Sequence, residues 1–287
     1  MKQFEIPQNK TESHELKPVK IELHFFRHSI KESNDVTLPD DESVKLSQAG
    51  KNLAIAKSFD DVNLSQAVAF GSPRVRTQES ALYMMTGNED DITGTETLEE
   101  LKQKINRDLR VGSKIGTDER LNFSDSNNTP VGKALNESYA RGEYVKFMVE
   151  QSDNLARETG DESGANYSAK AAQIAKIIQK YIGIVPNWQK LVSDESKGYT
   201  DTLERYMGTH ASISEAFLAK IIEITEGIEA RDNFIAQYPN GFDYLQGFEA
   251  DIVRDSKGDV SVEIRFDIGD SKLTKILSLD ELLEISR

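Results

Sequence analysis

Phe25-Phe26-Arg27-His28-Ser29 sets an arginine and a histidine side by side where a short apolar run, Ile21 to Phe26, comes to an end. A sheet strand that stops at such a pair delivers both side chains to the crevice beyond its carboxyl end, where open α/β sheets place their sites. The arginine offers a rigid fork of donors suited to phosphate oxygens, and neutral histidine is a nucleophile near physiological pH. Two further segments repeat the theme. Ser72-Pro73-Arg74-Val75-Arg76-Thr77 follows the apolar run Leu64–Phe70 and opens a helix, and Gly208-Thr209-His210 closes a third run just before another helix. Taken singly, Arg27 reads as an ion-pair partner, His28 as a satisfied structural histidine, Arg74 and Arg76 as a solvated helix face, and His210 as a strand-end cap. Taken together, two arginines and two histidines at helix N-termini describe a phosphate cradle of charge-assisted donors and unsatisfied amides.

These residues converge only if the three runs are parallel strands, and the order of elements predicts that. Strands over Ile21–Phe26 and Leu64–Phe70 alternate with helices over Glu42–Ser58 and Arg74–Met85, the pattern of a parallel sheet wrapped by helices. Further helices are expected over Glu96–Arg110, Val131–Thr159, Asn166–Ile182 and Asn187–Ser193, with Val111–Thr129 irregular. Arg205–His210 reads as a strand and Ser212–Thr225 as a helix. Phe248–Arg254 and Val260–Phe266 form a hairpin about Asp255-Ser256-Lys257-Gly258-Asp259. The expected fold is a three-layer α/β sandwich with a mostly parallel central sheet, helices on both faces and a helical cap insertion. Residues 1–20 read as a polar tail, and 21–287 as one domain with the cap at about 87–200.

Composition narrows the functions. The 287 residues are 37% hydrophobic and 29% charged, ordinary for a soluble globular chain. No apolar run approaches the ~20 residues that span a bilayer, and Met1 to Lys20 lacks the apolar core of a signal peptide, so a cytoplasmic location is expected. Cysteine is absent, which removes thiolate chemistry, and four histidines make a multi-histidine metal site improbable. A net charge of -14 opposes general binding to nucleic acid or anionic membrane, but not a local arginine pocket. His24 is expected to be a core histidine, and His14 lies in the tail without a role.

The residues resemble the histidine phosphatase superfamily, which includes phosphoglycerate mutases and many phosphomonoesterases. Phe26-Arg27-His28-Ser29 stands for its Arg-His-Gly signature and Leu46-Ser47-Gln48-Ala49-Gly50 for its Leu-Thr-x-x-Gly helix start. Ser72-Pro73-x-x-Arg76-Thr77-x-x-Ser80-Ala81 stands for its Ser-Pro-x-x-Arg-Ala-x-x-Thr-Ala stretch, and Gly208-Thr209-His210 for its second-histidine strand. The likeness covers roughly residues 20–86 and 200–225. It implies that His28 attacks phosphorus, that Arg27, Arg76 and His210 hold the equatorial oxygens, and that water then cleaves a phosphohistidine. Ser29, Asn34, Ser72 and Thr209 are implied substrate contacts. The implied substrate is a phosphorylated small molecule or phosphoprotein, with no cofactor and no metal.

Two departures stand out. Ser29 replaces the usual glycine, adding a hydroxyl near the phosphate. The family's acid has no clear counterpart. Glu119, in Asp118-Glu119-Arg120-Leu121-Asn122-Phe123, matches best, with Asp125 close and a cluster at Glu158, Asp161 and Glu162 beyond it. Gly164-Ala165-Asn166-Tyr167 carries alanine where the family's Gly-Glu-Ser-Tyr has glutamate. Hydrolysis is the expected reaction. A phosphomutase, or a non-catalytic module on the same fold, is the alternative. Arg74, two residues from Arg76 on a helix, is expected to point elsewhere.

Overall fold

Strand β1, Val19–Arg27, feeds two cores because its side chains alternate. Val19, Ile21, Leu23 and Phe25 enter one buried cluster and Phe26 the other. The computed structural model describes residues 16–32, 42–105, 115–122, 128–268 and 271–287. Asn34 and Asp125, two of the expected site residues, and His14 lie outside them.

Among the described residues the sheet has seven strands. Besides β1 they are β2 (Val68–Gly71), β3 (Ile115–Thr117), β4 (Thr202–Thr209), β5 (Gly247–Arg254), β6 (Val260–Ile268) and β7 (Ser271–Leu277), in the order β3-β2-β4-β1-β5-β6-β7. The pairs β1–β4, β4–β2 and β2–β3 are parallel, and β1–β5, β5–β6 and β6–β7 antiparallel. The sheet is therefore mixed, with its parallel half carrying all three polar strand ends. Strands β5 and β6 are joined by a short turn between Asp255 and Asp259, which cannot make the crossover that a parallel pair needs.

On one face lie α1 (Gln48–Ala56) and α2 (Val75–Thr86), whose Ala54, Leu82 and Met85 share a core with Phe26 and Tyr206. On the other face, α6 (Tyr167–Ser193) and α7 (Ile213–Glu226) cover β1 and β5. Ala171, Ile174, Ala175, Ile177 and Ile178 of α6 are buried there with Ile21, Leu23 and Phe25. Part of the long middle stretch is thus a layer of the sandwich itself. The rest of it includes α3 (Leu98–Ile105), α4 (Pro130–Arg141) and α5 (Tyr144–Thr159).

Several boundaries differ from expectation. The single helix read over Val131–Thr159 is broken at Gly142, which adopts φ 75 and caps α4, a left-handed conformation that glycine takes without strain. Conversely, α6 runs through Pro186 without interruption. The short strand β3, together with α8 (Ile228–Gln237), β7 and α9 (Leu279–Ile285), had no clear signal. The hairpin between β5 and β6 closes at Asp255 and Asp259, as read. Among the described residues, no helix is long and apolar enough to cross a membrane.

Candidate active site

Register brings the three strand ends together. Arg27 pairs with Thr209 across β1 and β4, and Gly71 with Gly208 across β2 and β4. The amide of His28 then donates to the Thr209 carbonyl at 2.8 Å. The rings of His28 and His210 meet edge to face, with centroids 5.3 Å apart. Gly208 lets α2 pack closely on the end of β4, since a Cβ there would lie 2.2 Å from the Thr77 carbonyl oxygen in the first turn of α2.

The backbone beside His28 fixes its tautomer. Its Nδ1 lies 2.7 Å from the Ser29 carbonyl oxygen. A carbonyl only accepts, so Nδ1 carries the hydrogen and Nε2 keeps its lone pair. Burial, and next the Arg76 guanidinium, hold this imidazole well below the usual histidine range, with Arg27 and Lys31 adding to the effect. His210 is held down likewise, by burial first and then by His28, Arg76, Arg74 and Lys170. Both rings are neutral at physiological pH.

The cations around them exceed what the sequence suggested. Arg76 is buried, as expected of a pocket residue, and so is Arg74. Arg74 does not point elsewhere. Helix α2 begins at Val75, and Arg74 is its extended N-cap residue, so helical spacing does not govern its direction. Its Nε donates to Asn122 Oδ1 at 3.0 Å. Lys31, just beyond His28 in sequence, lies within the fields of Arg76, Arg74 and Arg27; burial, then those charges, lower its ammonium to about 8. Lys170 of α6 is buried, donates to the Asn122 carbonyl at 3.1 Å, and is lowered by burial to about 8. Five cationic side chains therefore surround two neutral imidazoles, a potential suited to a multiply charged anion.

Arg27 is set from the opposite side. Its Nη1 donates to the Phe242 carbonyl, and the Phe242 amide donates to Glu215 Oε1 at 2.6 Å. Glu215, in the first turn of α7, thus fixes the peptide that fixes Arg27. The Tyr244 ring lies 4.7 Å from the Arg27 guanidinium and 6.2 Å from the His28 ring, a cation–π contact.

Three expected substrate contacts have other partners. The Ser29 hydroxyl donates to the Gly50 carbonyl at 2.8 Å and its amide donates to Ser80 Oγ, so this serine ties the nucleophile loop to α1 and α2. Ser72 Oγ lies 3.0 Å from His210 Nε2 and from Thr77 Oγ1, and accepts the Arg74 amide at 3.2 Å. It holds the second histidine in place. Thr209 donates its hydroxyl to the Leu121 carbonyl at 2.9 Å and anchors the 118–122 segment. Each of the three hydroxyls thus has a partner within the chain.

Of the acid candidates, Glu119 opens the short 3-10 turn Glu119–Leu121, with its side chain exposed. That turn touches the site through Leu121 and Asn122. Asp161 accepts the amides of Val131 and Ser163, which cap α4 and hold its carboxyl at about 2 despite some desolvation. It is a structural carboxylate. Glu158 and Glu162 are exposed.

Sequence reasoning named Arg74 but misread its direction, and it missed Lys31, Lys170, Tyr244 and Glu215. Only Lys170 left a signal, since it falls in the apolar stripe of α6 with Tyr167, Ile174 and Ile178, where a lysine needs a reason.

No protein-family model matches the chain, and no curated protein sequence matches it. Solved structures that match along most of its length include a phosphoglycerate mutase from Bacillus anthracis strain Sterne, at 12% identity over 95% of this chain and 97% of that chain, with a TM-score of 0.43. A mycobacterial glucosyl-3-phosphoglycerate phosphatase matches at 13% identity over 89% and 100%, with a TM-score of 0.44. A protein described as mycobacterial hydrolase 1 matches at 12% over 90% and 100%, with a TM-score of 0.45.

Proposed function

We propose that this chain is a phosphomonoester hydrolase that works through a phosphohistidine at His28. The observation that carries the reading is the Nδ1–Ser29 carbonyl bond, which leaves a lone pair on Nε2 of a neutral imidazole ringed by cations. In the first step Nε2 bonds to phosphorus as the ester oxygen departs, and a proton passes to that oxygen. Arg27, Arg74, Arg76 and His210 hold the phosphoryl oxygens while charge redistributes, so catalysis is largely positioning and electrostatics. In the second step water attacks phosphorus and gives a proton to the carboxylate left by the first step, the P–N bond breaks, and phosphate leaves with His28 again neutral. Glu119 is the proposed proton donor, reaching the leaving group from the turn that Thr209 anchors.

Assaying a panel of alkyl and aryl phosphate esters and phosphopeptides tests the proposal. The expected result is release of inorganic phosphate by the wild type and none by His28→Ala. Return of the phosphate to a second hydroxyl, seen by phosphorus NMR, would make the protein a mutase. Tight phosphate binding without turnover of any ester would make it a binding module.

A further inference from the structure

We propose that Glu22, His24 and Glu204 form a divalent transition-metal site, separate from the phosphate pocket, that clamps β1 to β4. Glu22 and His24 are two residues apart on β1 and so share a face of the sheet. Glu204 of β4 is the register partner of Glu22, which sets the two carboxylates side by side on that same face. One ligand atom from each of the three residues lies within 4.8 Å of the other two.

The second observation is the state of His24. Its side chain is 7% exposed, and its Nδ1 lies 3.3 Å from Glu249 Oε1. Glu249 is in turn fixed by Arg265, whose Nη2 donates to Oε2 at 2.8 Å. A carboxylate so engaged accepts from Nδ1, which therefore carries the hydrogen, and the lone pair falls to Nε2. Nε2 is buried and has no hydrogen-bond partner. It faces Glu22 Oε2 at 3.9 Å, too far for a hydrogen bond but a separation that an ion can bridge with bonds of ~2.0–2.2 Å after a small contraction. Carboxylate, imidazole and metal in line is the arrangement that fixes the tautomer of a ligating histidine.

The surroundings hold all three groups in place. The His24 ring stacks on Tyr206 with centroids 4.9 Å apart and tilts against Phe59 at 4.4 Å. Tyr206 donates its hydroxyl to Glu204 Oε1 at 2.9 Å, and the Asn63 amide donates to Oε2 at 3.2 Å. Lys20 pairs with Glu22 Oε1, leaving Oε2 toward His24. Glu22 keeps 18% of its side chain exposed, which gives an ion a route in and leaves room for water as a further ligand. One nitrogen and two oxygen donors suit Zn²⁺, Co²⁺, Mn²⁺ or Fe²⁺ rather than a soft monovalent ion. His24 lies four residues before His28, roughly 13 Å along the strand. An ion there cannot touch the transferred phosphate. It would instead lock the register of the two strands that carry the paired histidines.

The test uses the full chain, freed of metal by chelation, and titrates in Co²⁺ and then Zn²⁺. The expected result is saturable binding of one ion per chain, visible as cobalt ligand-field bands that Zn²⁺ displaces, with a melting temperature that rises with ion concentration. With four histidines in the chain, nitrogen-15 spectra of the imidazoles resolve the site, and Nε2 of His24 should move while His28 and His210 stay. His24→Gln and Glu204→Gln should each weaken binding at least tenfold, and Glu249→Gln by about ten- to a hundredfold. Glu22→Gln and Glu204→Gln keep side-chain volume and the ring stack, so they read out binding even if His24→Gln does not fold. Absence of saturable binding, equal affinity in Glu204→Gln, or movement of His28 and His210 instead of His24 would each overturn the site.

Discussion

Lys31 offers a way to weigh the proposed phosphate pocket by its protons. Burial and the charges of Arg76, Arg74 and Arg27 lower its ammonium to about 8 from an ordinary 10.5. A bound phosphate dianion reverses the sign of that environment, so the complex should hold the proton that the free protein loses. Between pH 8 and 10.5 binding must then take up a proton, and affinity for phosphate should fall about tenfold per pH unit. Lys170, also lowered to about 8, adds a second proton where the anion's field reaches it, so the wild-type slope should lie between one and two. Replacing Lys31 by Met removes one of these protons. At pH 7.5, where Lys31 is still charged, the same change should weaken phosphate binding by roughly ten- to a hundredfold, the worth of one charge-assisted hydrogen bond at ~1.5–3 kcal/mol. Stability of the free protein runs the other way. The folded-state value lies below the unfolded one, so the strain of holding this ammonium is full below pH 8 and relieved as pH rises toward 10.5. Calorimetric titration with inorganic phosphate from pH 7.5 to 9.5, in two buffers of different ionisation enthalpy, measures slope and proton uptake together. A flat wild-type profile, or an unchanged slope in Lys31→Met, would refute the reasoning.

Arg76→Ala and Arg74→Ala should each lower kcat/KM by ~10²–10³-fold, the range for losing one electrostatic donor at a reacting centre; a harmless Arg74→Ala would remove that guanidinium from the pocket. Ser72→Ala removes the hydroxyl that lies 3.0 Å from His210 Nε2, which should cost about 1–3 kcal/mol. Its melting temperature should fall by roughly 2–4 °C per kcal/mol, with a matching drop in kcat, whereas an unchanged melt would show that His210 has another support. Glu119→Gln should lose activity on alkyl phosphates yet keep most of it on p-nitrophenyl phosphate, whose leaving group needs no proton. If neither substrate responds, the donor passes to Asp125 or Lys31.

The convergence of three strand ends was legible because a parallel sheet turns sequence position into a shared edge. Arg27, His28 and His210 needed only the positions of their strands. The direction of Arg74 was not legible, since it depends on whether the helix begins one residue earlier or later, a boundary fixed in the fold at Val75. Nor was the partner of Ser29, because the Gly50 carbonyl reaches it only after α1 has packed so closely that a Cβ on Gly50 would meet the Ile30 carbonyl oxygen at 2.0 Å. The sequence was read as two helices, Asn166–Ile182 and Asn187–Ser193, but packing of α6 on β1, β5 and α7 carries one helix through Pro186 despite the lost hydrogen bond. The antiparallel half of the sheet was half visible, as one hairpin. Glu215 acts on Arg27 through the Phe242 peptide, a link that side-chain spacing cannot reveal.

Trapping the phosphoenzyme tests the central claim most directly. Wild-type protein turning over a phosphorus-32-labelled ester would be denatured at alkaline pH, which spares phosphohistidine, and its peptides mapped. We expect acid-labile label on the peptide that contains His28, and none in His28→Ala. Label on another residue, or full turnover by His28→Ala, would contradict the mechanism.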